Sequence, residues 1–153
     1  MLWAVIAAIN GIGENLAFFS YPLFTLTRTT GFWASAILLS LLFMCGHLGN
    51  AGENAVGLFA IFLQVLFLAF TVLRTGDLWF SFGAHAGFVF TQNFLFSVPD
   101  SGVAFTGQLF HASLHGPAWL TGGSAGPEAS ALAFGAMLLA LVVFNRVYPD
   151  RRT

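Results

Sequence analysis

Charge is the property that this sequence has least of. Only 7% of its 153 residues are charged, lysine is absent, and the formal net charge is −1. So few charges cannot solvate a water-soluble domain of this length, and so few basic residues argue against nucleic-acid binding. The single cysteine, Cys45, excludes an internal disulfide. Hydrophobic residues make up 58% of the chain and recur along its whole length, which predicts an all-α polytopic protein in the lipid bilayer.

Separate apolar runs predict about five transmembrane helices in a single domain that covers residues 1–153. They lie at about residues 2–26, 32–48, 55–73, 78–98 and 129–144, and the polar, glycine-rich residues 99–127 are expected to form an exterior loop. The most regular run is 55–73, where Gln64 and Thr71 are the only strongly polar side chains. Run 2–26 contains several polar residues and Pro22, which predicts either one kinked helix or a helix followed by a short interfacial segment.

The arginines predict the orientation of these helices in the membrane. Basic residues accumulate on the cytoplasmic side of membrane proteins. If the chain crosses the membrane five times, all five arginines lie on the same side of the membrane. We therefore predict a cytoplasmic C-terminus and an exterior N-terminus. The arginines are Arg28, Arg74, Arg146, Arg151 and Arg152.

Three ionisable side chains fall inside the predicted spans: Glu14, His47 and His85. Such groups cost several kcal/mol in a bilayer unless they are paired or hydrated, so they are candidates for function. One interpretation is a carboxylate that activates water with help from two imidazoles, or a Glu/His₂ metal site. The structural alternative is that each group only hydrogen-bonds a neighbouring helix. With straight vertical helices, His85 would lie about 10 Å, Glu14 about 18 Å and His47 about 24 Å from the arginine face.

Several motifs occur in an order that matches a known family. They are FMCGHLGN at 43–50, RTGDLW at 74–79, GAHAG at 83–87 and LTGGSAGPE at 120–128. This ordered set resembles the core of the CAAX-protease and bacteriocin-processing (CPBP) family of intramembrane endopeptidases, without the N-terminal helices that many members carry. The resemblance implies a membrane helical bundle, here expected in a bacterial inner membrane.

The resemblance also implies roles for individual residues. Glu14 and His47 match the glutamate and histidine that activate the hydrolytic water. His85 matches the histidine of the third motif, in which an asparagine or aspartate four residues later helps to hold the oxyanion. Phe43 and Asn50 match supporting positions of the second motif. Three further positions depart from the family pattern: Asn15 stands for a second glutamate, Phe19 for an arginine and Val89 for an asparagine or aspartate.

These departures have a physical interpretation. Residues 15 and 19 are i and i+4 neighbours on a helix, so the family's glutamate and arginine can pair there, and replacing both leaves no stranded charge. Val89 offers no hydrogen-bond donor, and losing one oxyanion donor commonly lowers the rate by about 10²–10³. The sequence therefore predicts a weak or inactive protease.

Three hypotheses follow for the function. The first is a degenerate CPBP-like protein that acts as a scaffold or accessory subunit of a membrane complex. A second is an active Glu/His-dependent endopeptidase that cleaves prenylated or leader-bearing peptides, and a third is a subunit that binds a cofactor. No cofactor is expected, although His47 or His85 could ligate a metal or a pigment. The two small residues Gly83 and Gly87, four positions apart on one helix face, would let another helix approach closely, from within the chain or from a partner subunit.

Overall fold

The computed structural model describes residues 2–104, 109–110 and 112–149, and the regular secondary structure in these ranges is helical. No β-strand occurs in these ranges, so the all-α prediction is confirmed. The helices are α1 (Leu2–Phe19), α2 (Tyr21–Thr30), α3 (Phe32–Gly46), α4 (Ala55–Thr75), α5 (Trp79–Val89), α6 (Ala118–Thr121) and α7 (Ala131–Val147). A π-helical turn, Phe90–Leu95, continues α5, and a 3₁₀ turn, Pro127–Ala129, precedes α7.

Local sequence explains where the helices begin and end. Pro22 lies in the first turn of α2, so the first apolar run breaks at Ser20 into two helices. Gly31, with φ of 81°, separates α2 from α3. The Asn54 side chain accepts hydrogen bonds from the amides of Val56 and Gly57 and caps α4, and Gly76 ends α4 with a left-handed φ of 78°.

The core lies among the first four helices. Its buried apolar side chains are Phe19, Leu23, Ala36, Leu39, Phe43, Ile61, Val65, Leu68, Ala69 and Val72. Helix α5 packs mainly on α1, and Gly11 makes this approach close: a Cβ there would lie 2.7 Å from the backbone nitrogen of Ala86. A Cβ added at Gly83 or Gly87 would meet no neighbouring atom of the described residues within 4 Å. These two glycines are therefore not used for close helix packing within the described part of the chain.

Large apolar side chains cover the outside of the bundle, as expected for a protein surrounded by lipid. Leu132, Leu138 and Leu139 on α7 are each more than 60% exposed. Within the described ranges, two helical segments are long and apolar enough to cross a bilayer: Leu2–Thr30, which comprises α1 and α2, and Ala55–Thr75. Phe32–Gly46 and Ala131–Val147 are apolar but shorter. Five spans therefore stay a prediction.

Candidate functional site

A polar cavity of about 130 Å³ lies between α1, α3, α4, α5 and the segment that follows the π-helical turn. Its volume is sufficient for several water molecules. The three ionisable residues singled out in the sequence, Glu14, His47 and His85, all line it. Further polar side chains complete the lining: Asn10, Asn50, Gln64, Asn93, Asp100 and Ser101.

Glu14 is the carboxylate that α1 contributes to this cavity. It lies in the C-terminal half of α1, and its Oε2 is 3.5 Å from Nε2 of His85 on α5. Asn10 lies one turn earlier on the same face of α1. With its amide nitrogen turned toward the carboxylate, Asn10 donates to Oε1 of Glu14 over 2.8 Å. The carboxylate is therefore held by its own helix and faces an imidazole.

His47 follows the last residue of α3 and closes that helix as its C-cap. Its Nδ1 is 2.9 Å from the backbone carbonyl of Phe43, and the Phe43 ring stacks on the imidazole at 4.8 Å between centroids. Because a carbonyl oxygen only accepts hydrogen bonds, Nδ1 of His47 carries the proton. In the neutral ring, Nε2 of His47 then has a free lone pair and acts as an acceptor.

His85 has the opposite tautomer. Its Nδ1 is 2.9 Å from the side-chain nitrogen of Asn15, which can only donate, so Nδ1 accepts. The proton of the neutral ring is therefore on Nε2, the atom that faces Glu14. Neighbouring hydrogen bonds thus give the two imidazoles different functions: His47 accepts through Nε2, and His85 donates through Nε2.

The supporting motif residues also lie at this site. The Phe43 ring meets the His85 ring edge-on at 6.3 Å, so one aromatic side chain packs against both histidines. Asn50 lines the cavity and donates from Nδ2 to the carbonyl oxygen of Ser101 over 2.7 Å. This bond ties the end of the second motif to the segment after the π-helical turn.

The three departures from the family pattern have different surroundings. Asn15 is fully buried and donates a hydrogen bond to His85, so this position contributes to the site although it lacks the family's glutamate. Phe19 is fully buried in the apolar core, where it leaves no unpaired charge. Val89 is 7% exposed and lines the cavity without a polar group. One turn later, Asn93 lines the same cavity from the π-helical turn.

Asp100 is a site residue that the sequence analysis did not identify. It lies in the segment after the π-helical turn and accepts a hydrogen bond from Nδ2 of Asn93 over 2.9 Å. Burial raises the pKa of Asp100, and the Asn93 hydrogen bond partly opposes this shift. In the sequence Asp100 is simply an acid that follows Pro99 in a connecting segment. Nothing in the local pattern indicates that its side chain lines a cavity formed by earlier helices.

Glu128 anchors this segment from outside the cavity. Its Oε1 accepts from the Ser101 amide over 2.7 Å, and its Oε2 accepts from the side-chain nitrogen of Gln92. Burial raises the pKa of Glu128 to about 7, against the opposing effect of these hydrogen bonds. The last of the sequence motifs therefore has a structural role, because its glutamate holds the wall that carries Asp100.

The geometry does not single out a metal site. Within the described ranges, no group of three or more His, Cys, Asp or Glu side chains is arranged to hold a metal ion. Both ring nitrogens of His85 already face polar neighbours, Asn15 and Glu14. A metal or pigment bound through His47 or His85 stays a prediction.

The fold and cavity define a class of protein: a helical, apolar chain that places the Glu14 carboxylate and two imidazoles together between its helices. A family model described as "Type II CAAX prenyl endopeptidase Rce1-like" matches residues 1–91, well over half of the chain, and covers Glu14, His47 and His85. The chain belongs to this family, and the resemblance to CPBP proteins is confirmed. The family is membrane-embedded, and the two long apolar helices fit that setting. No curated protein and no solved structure matches the chain.

Proposed function

We propose that this protein is a Glu/His-dependent intramembrane endopeptidase in which Glu14 activates water. One observation carries the proposal: the Glu14 carboxylate and the imidazoles of His47 and His85 line a single cavity with room for several water molecules, and the neighbours of the two rings assign them opposite tautomers. Hydrolysis of a peptide bond needs both a proton acceptor for water and a donor for the developing oxyanion. The geometry favours this function over the scaffold hypothesis that the sequence alone favoured slightly.

The mechanism uses each group according to its hydrogen bonds. A water molecule in the cavity donates one hydrogen bond to Glu14 and another to Nε2 of His47. Glu14 takes a proton as the water oxygen attacks the carbonyl carbon of the scissile peptide bond. His85 donates from Nε2 to the resulting oxyanion. The carbon–nitrogen bond then breaks as the proton held by Glu14 passes to the leaving amine, which restores the carboxylate.

The family match suggests the kind of substrate. Its description names a CAAX prenyl endopeptidase, so prenylated peptides are the first candidates, and leader-bearing peptides are the second. In either case a lipid or apolar segment would deliver the peptide bond to a site within the membrane.

The proposed membrane arrangement has five spans. The two long helical segments provide the first and third, and Phe32–Gly46 and Ala131–Val147 are the apolar second and fifth. Helix α5 with its π-helical turn, residues 79–95, is the fourth. We further propose a bacterial inner membrane with the C-terminus in the cytoplasm. This orientation rests on the five arginines, of which Arg151 and Arg152 lie outside the described residues.

A second candidate is a non-proteolytic subunit of a membrane complex. It is favoured by Val89, which places a side chain without a donor where the family has an asparagine or aspartate. In this case the retained cavity would be a remnant, and the exposed apolar face of α7 would contact partner subunits as well as lipid. The two candidates differ in whether the purified protein cleaves peptides.

The decisive experiment is a cleavage assay with the purified protein in detergent or nanodiscs. Prenylated and leader-bearing peptides are incubated with the wild type, and products are identified by mass spectrometry. We expect Glu14→Gln to abolish cleavage, because an amide cannot take the proton from water. Asp77→Asn is the matched control, since Asp77 does not line the cavity and its Oδ1 accepts from the Trp79 amide.

Two results would count against the proposal. Cleavage that survives Glu14→Gln would refute the role of this carboxylate. A wild-type protein that cleaves none of the peptides, and purifies from native membranes with a stoichiometric membrane partner, would support the second candidate.

A further inference from the structure

Asn15 has an unusually complete set of hydrogen bonds for a side chain inside a membrane bundle. It is fully buried. Its Nδ2 donates to the backbone carbonyl of Gly11 and to Nδ1 of His85, and its Oδ1 accepts from the hydroxyl of Ser81 over 2.5 Å. Every polar atom of the amide is therefore used, on α1 and on α5.

The orientation of this amide is fixed by its neighbours. The Gly11 carbonyl can only accept, so the atom of Asn15 that faces it must be the nitrogen. Ser81 donates to the oxygen on the other side, which reinforces the same orientation. The second hydrogen on Nδ2 then has one partner, Nδ1 of His85. The Gly11 carbonyl and Nδ1 of His85 therefore both accept hydrogen bonds from Asn15, which itself accepts one from Ser81.

We propose that Asn15 is a positioning residue that fixes His85 as the tautomer with its proton on Nε2. This inference rests on the proposed function, because it makes neutral His85 the donor to the oxyanion. An amide suits this task and a carboxylate does not. An ionised glutamate or aspartate only accepts, and would draw the imidazole proton onto Nδ1. The asparagine at this position therefore decides which nitrogen of His85 donates into the cavity.

The wider geometry supports the same role. Ser81 and His85 are one turn apart on α5, so both meet Asn15 on one face of that helix. Gly11 brings the two helices close enough for these short bonds, since a side chain there would overlap the backbone of Ala86. The histidine is thereby held between an uncharged donor, Asn15, and a carboxylate that its ring faces directly, Glu14.

The experiment reads the His85 tautomer directly by NMR in the full-length protein, labelled with ¹⁵N and reconstituted in nanodiscs at neutral pH. We expect Nε2 of His85 to carry the proton and Nδ1 to show scalar coupling to the Asn15 side-chain nitrogen across their hydrogen bond. Asn15→Asp should move a proton onto Nδ1. Thr71→Val is the control, because it removes a buried hydroxyl that bonds only its own helix and should leave the His85 signals unchanged.

A proton on Nδ1 of wild-type His85, or an unchanged tautomer in a folded Asn15→Asp variant, would overturn the inference. If the variant does not fold, the wild-type tautomer and the coupling across the hydrogen bond still decide it. Cleavage is measured in parallel, and Asn15→Asp should lower kcat by about 10²–10³ with little change in KM, as for loss of one oxyanion donor. A wild type without cleavage would refute the proposed function, whereas the NMR result tests the positioning role separately.

Discussion

Replacing Gly11 by alanine should push apart α1 and α5, two of the helices that form the site. The added Cβ would lie 2.7 Å from the backbone nitrogen, 2.8 Å from Cα and 2.9 Å from Cβ of Ala86. Ordinary van der Waals contact begins at 3.4 Å, so α1 and α5 must move apart by about 0.7 Å, the difference between 3.4 and 2.7. The atoms in the way are mostly backbone, which cannot rotate aside.

The expected cost has a structural and a functional part. Overpacking of this kind costs about 1–3 kcal/mol. The same displacement would lengthen the hydrogen bond of 2.9 Å between Asn15 and His85. Misplacement of catalytic groups by about 1 Å can lower a rate by about 10². We therefore expect Gly11→Ala to lower both the melting temperature and the cleavage rate.

Gly13→Ala is the matched control. It lies on the same helix, and apart from the adjoining residues and backbone of α1 itself, no described atom is within 4 Å of its added Cβ. Alanine is favoured over glycine in helices by roughly 0.5–1 kcal/mol, so this variant should be as stable as the wild type or more stable. Thermal unfolding in detergent by circular dichroism or intrinsic fluorescence compares the three proteins. Equal melting temperatures for Gly11→Ala and Gly13→Ala would refute the proposed close packing of α1 on α5.

Two further predictions concern stability. Asn54→Ala should destabilise the protein by about 1 kcal/mol, because it removes the cap of α4; unchanged thermal unfolding would show that the cap is not needed. Because the pKa of Glu128 is raised from 4.5 to about 7, the folded state binds more protons than the unfolded state between these pH values. Stability should therefore fall as the pH rises through this window, and the raised pKa of Asp100 acts in the same direction. Glu128→Gln should flatten the melting temperature measured from pH 5 to 8, and an unchanged slope would contradict the assignment.

The sequence predicted the helical class and the family, because both depend on local patterns. The apolar composition predicts the membrane setting, and the order of the short motifs predicts the family that the family model confirms. The same motifs named Glu14, His47 and His85, which the structure brings to one cavity. Their roles in catalysis remain a proposal.

Helix depth could not be predicted from residue counts. Straight vertical helices would separate the levels of Glu14, His47 and His85. The actual chain breaks at Ser20, α3 already ends at Gly46, and α5 changes into a π-helical turn after Val89. Counting residues along straight helices takes no account of these breaks or of the packing of α1 on α5, and in the folded chain the three side chains line one cavity.

The role of Asn15 also required the folded structure. In the sequence it stands where the family has a glutamate, which predicts only the loss of that charge. Its partners Ser81 and His85 lie on α5, more than sixty positions away, and only the packing of α1 on α5 shows that they share one amide. Asp100 was missed for a similar reason, because a connecting segment has no periodicity that predicts where its side chains lie.

The central claim is that Glu14 acts on water rather than on the peptide itself, and a single-turnover cleavage in ¹⁸O-labelled water tests it most directly. The enzyme is mixed in molar excess with a peptide that it cleaves, and the reaction is quenched after one turnover. Both the product and the protein are then analysed by mass spectrometry. General-base catalysis predicts one ¹⁸O atom in the new carboxyl group of the product and none in the protein. An unlabelled product with ¹⁸O on the Glu14 side chain would show a covalent intermediate and contradict the account.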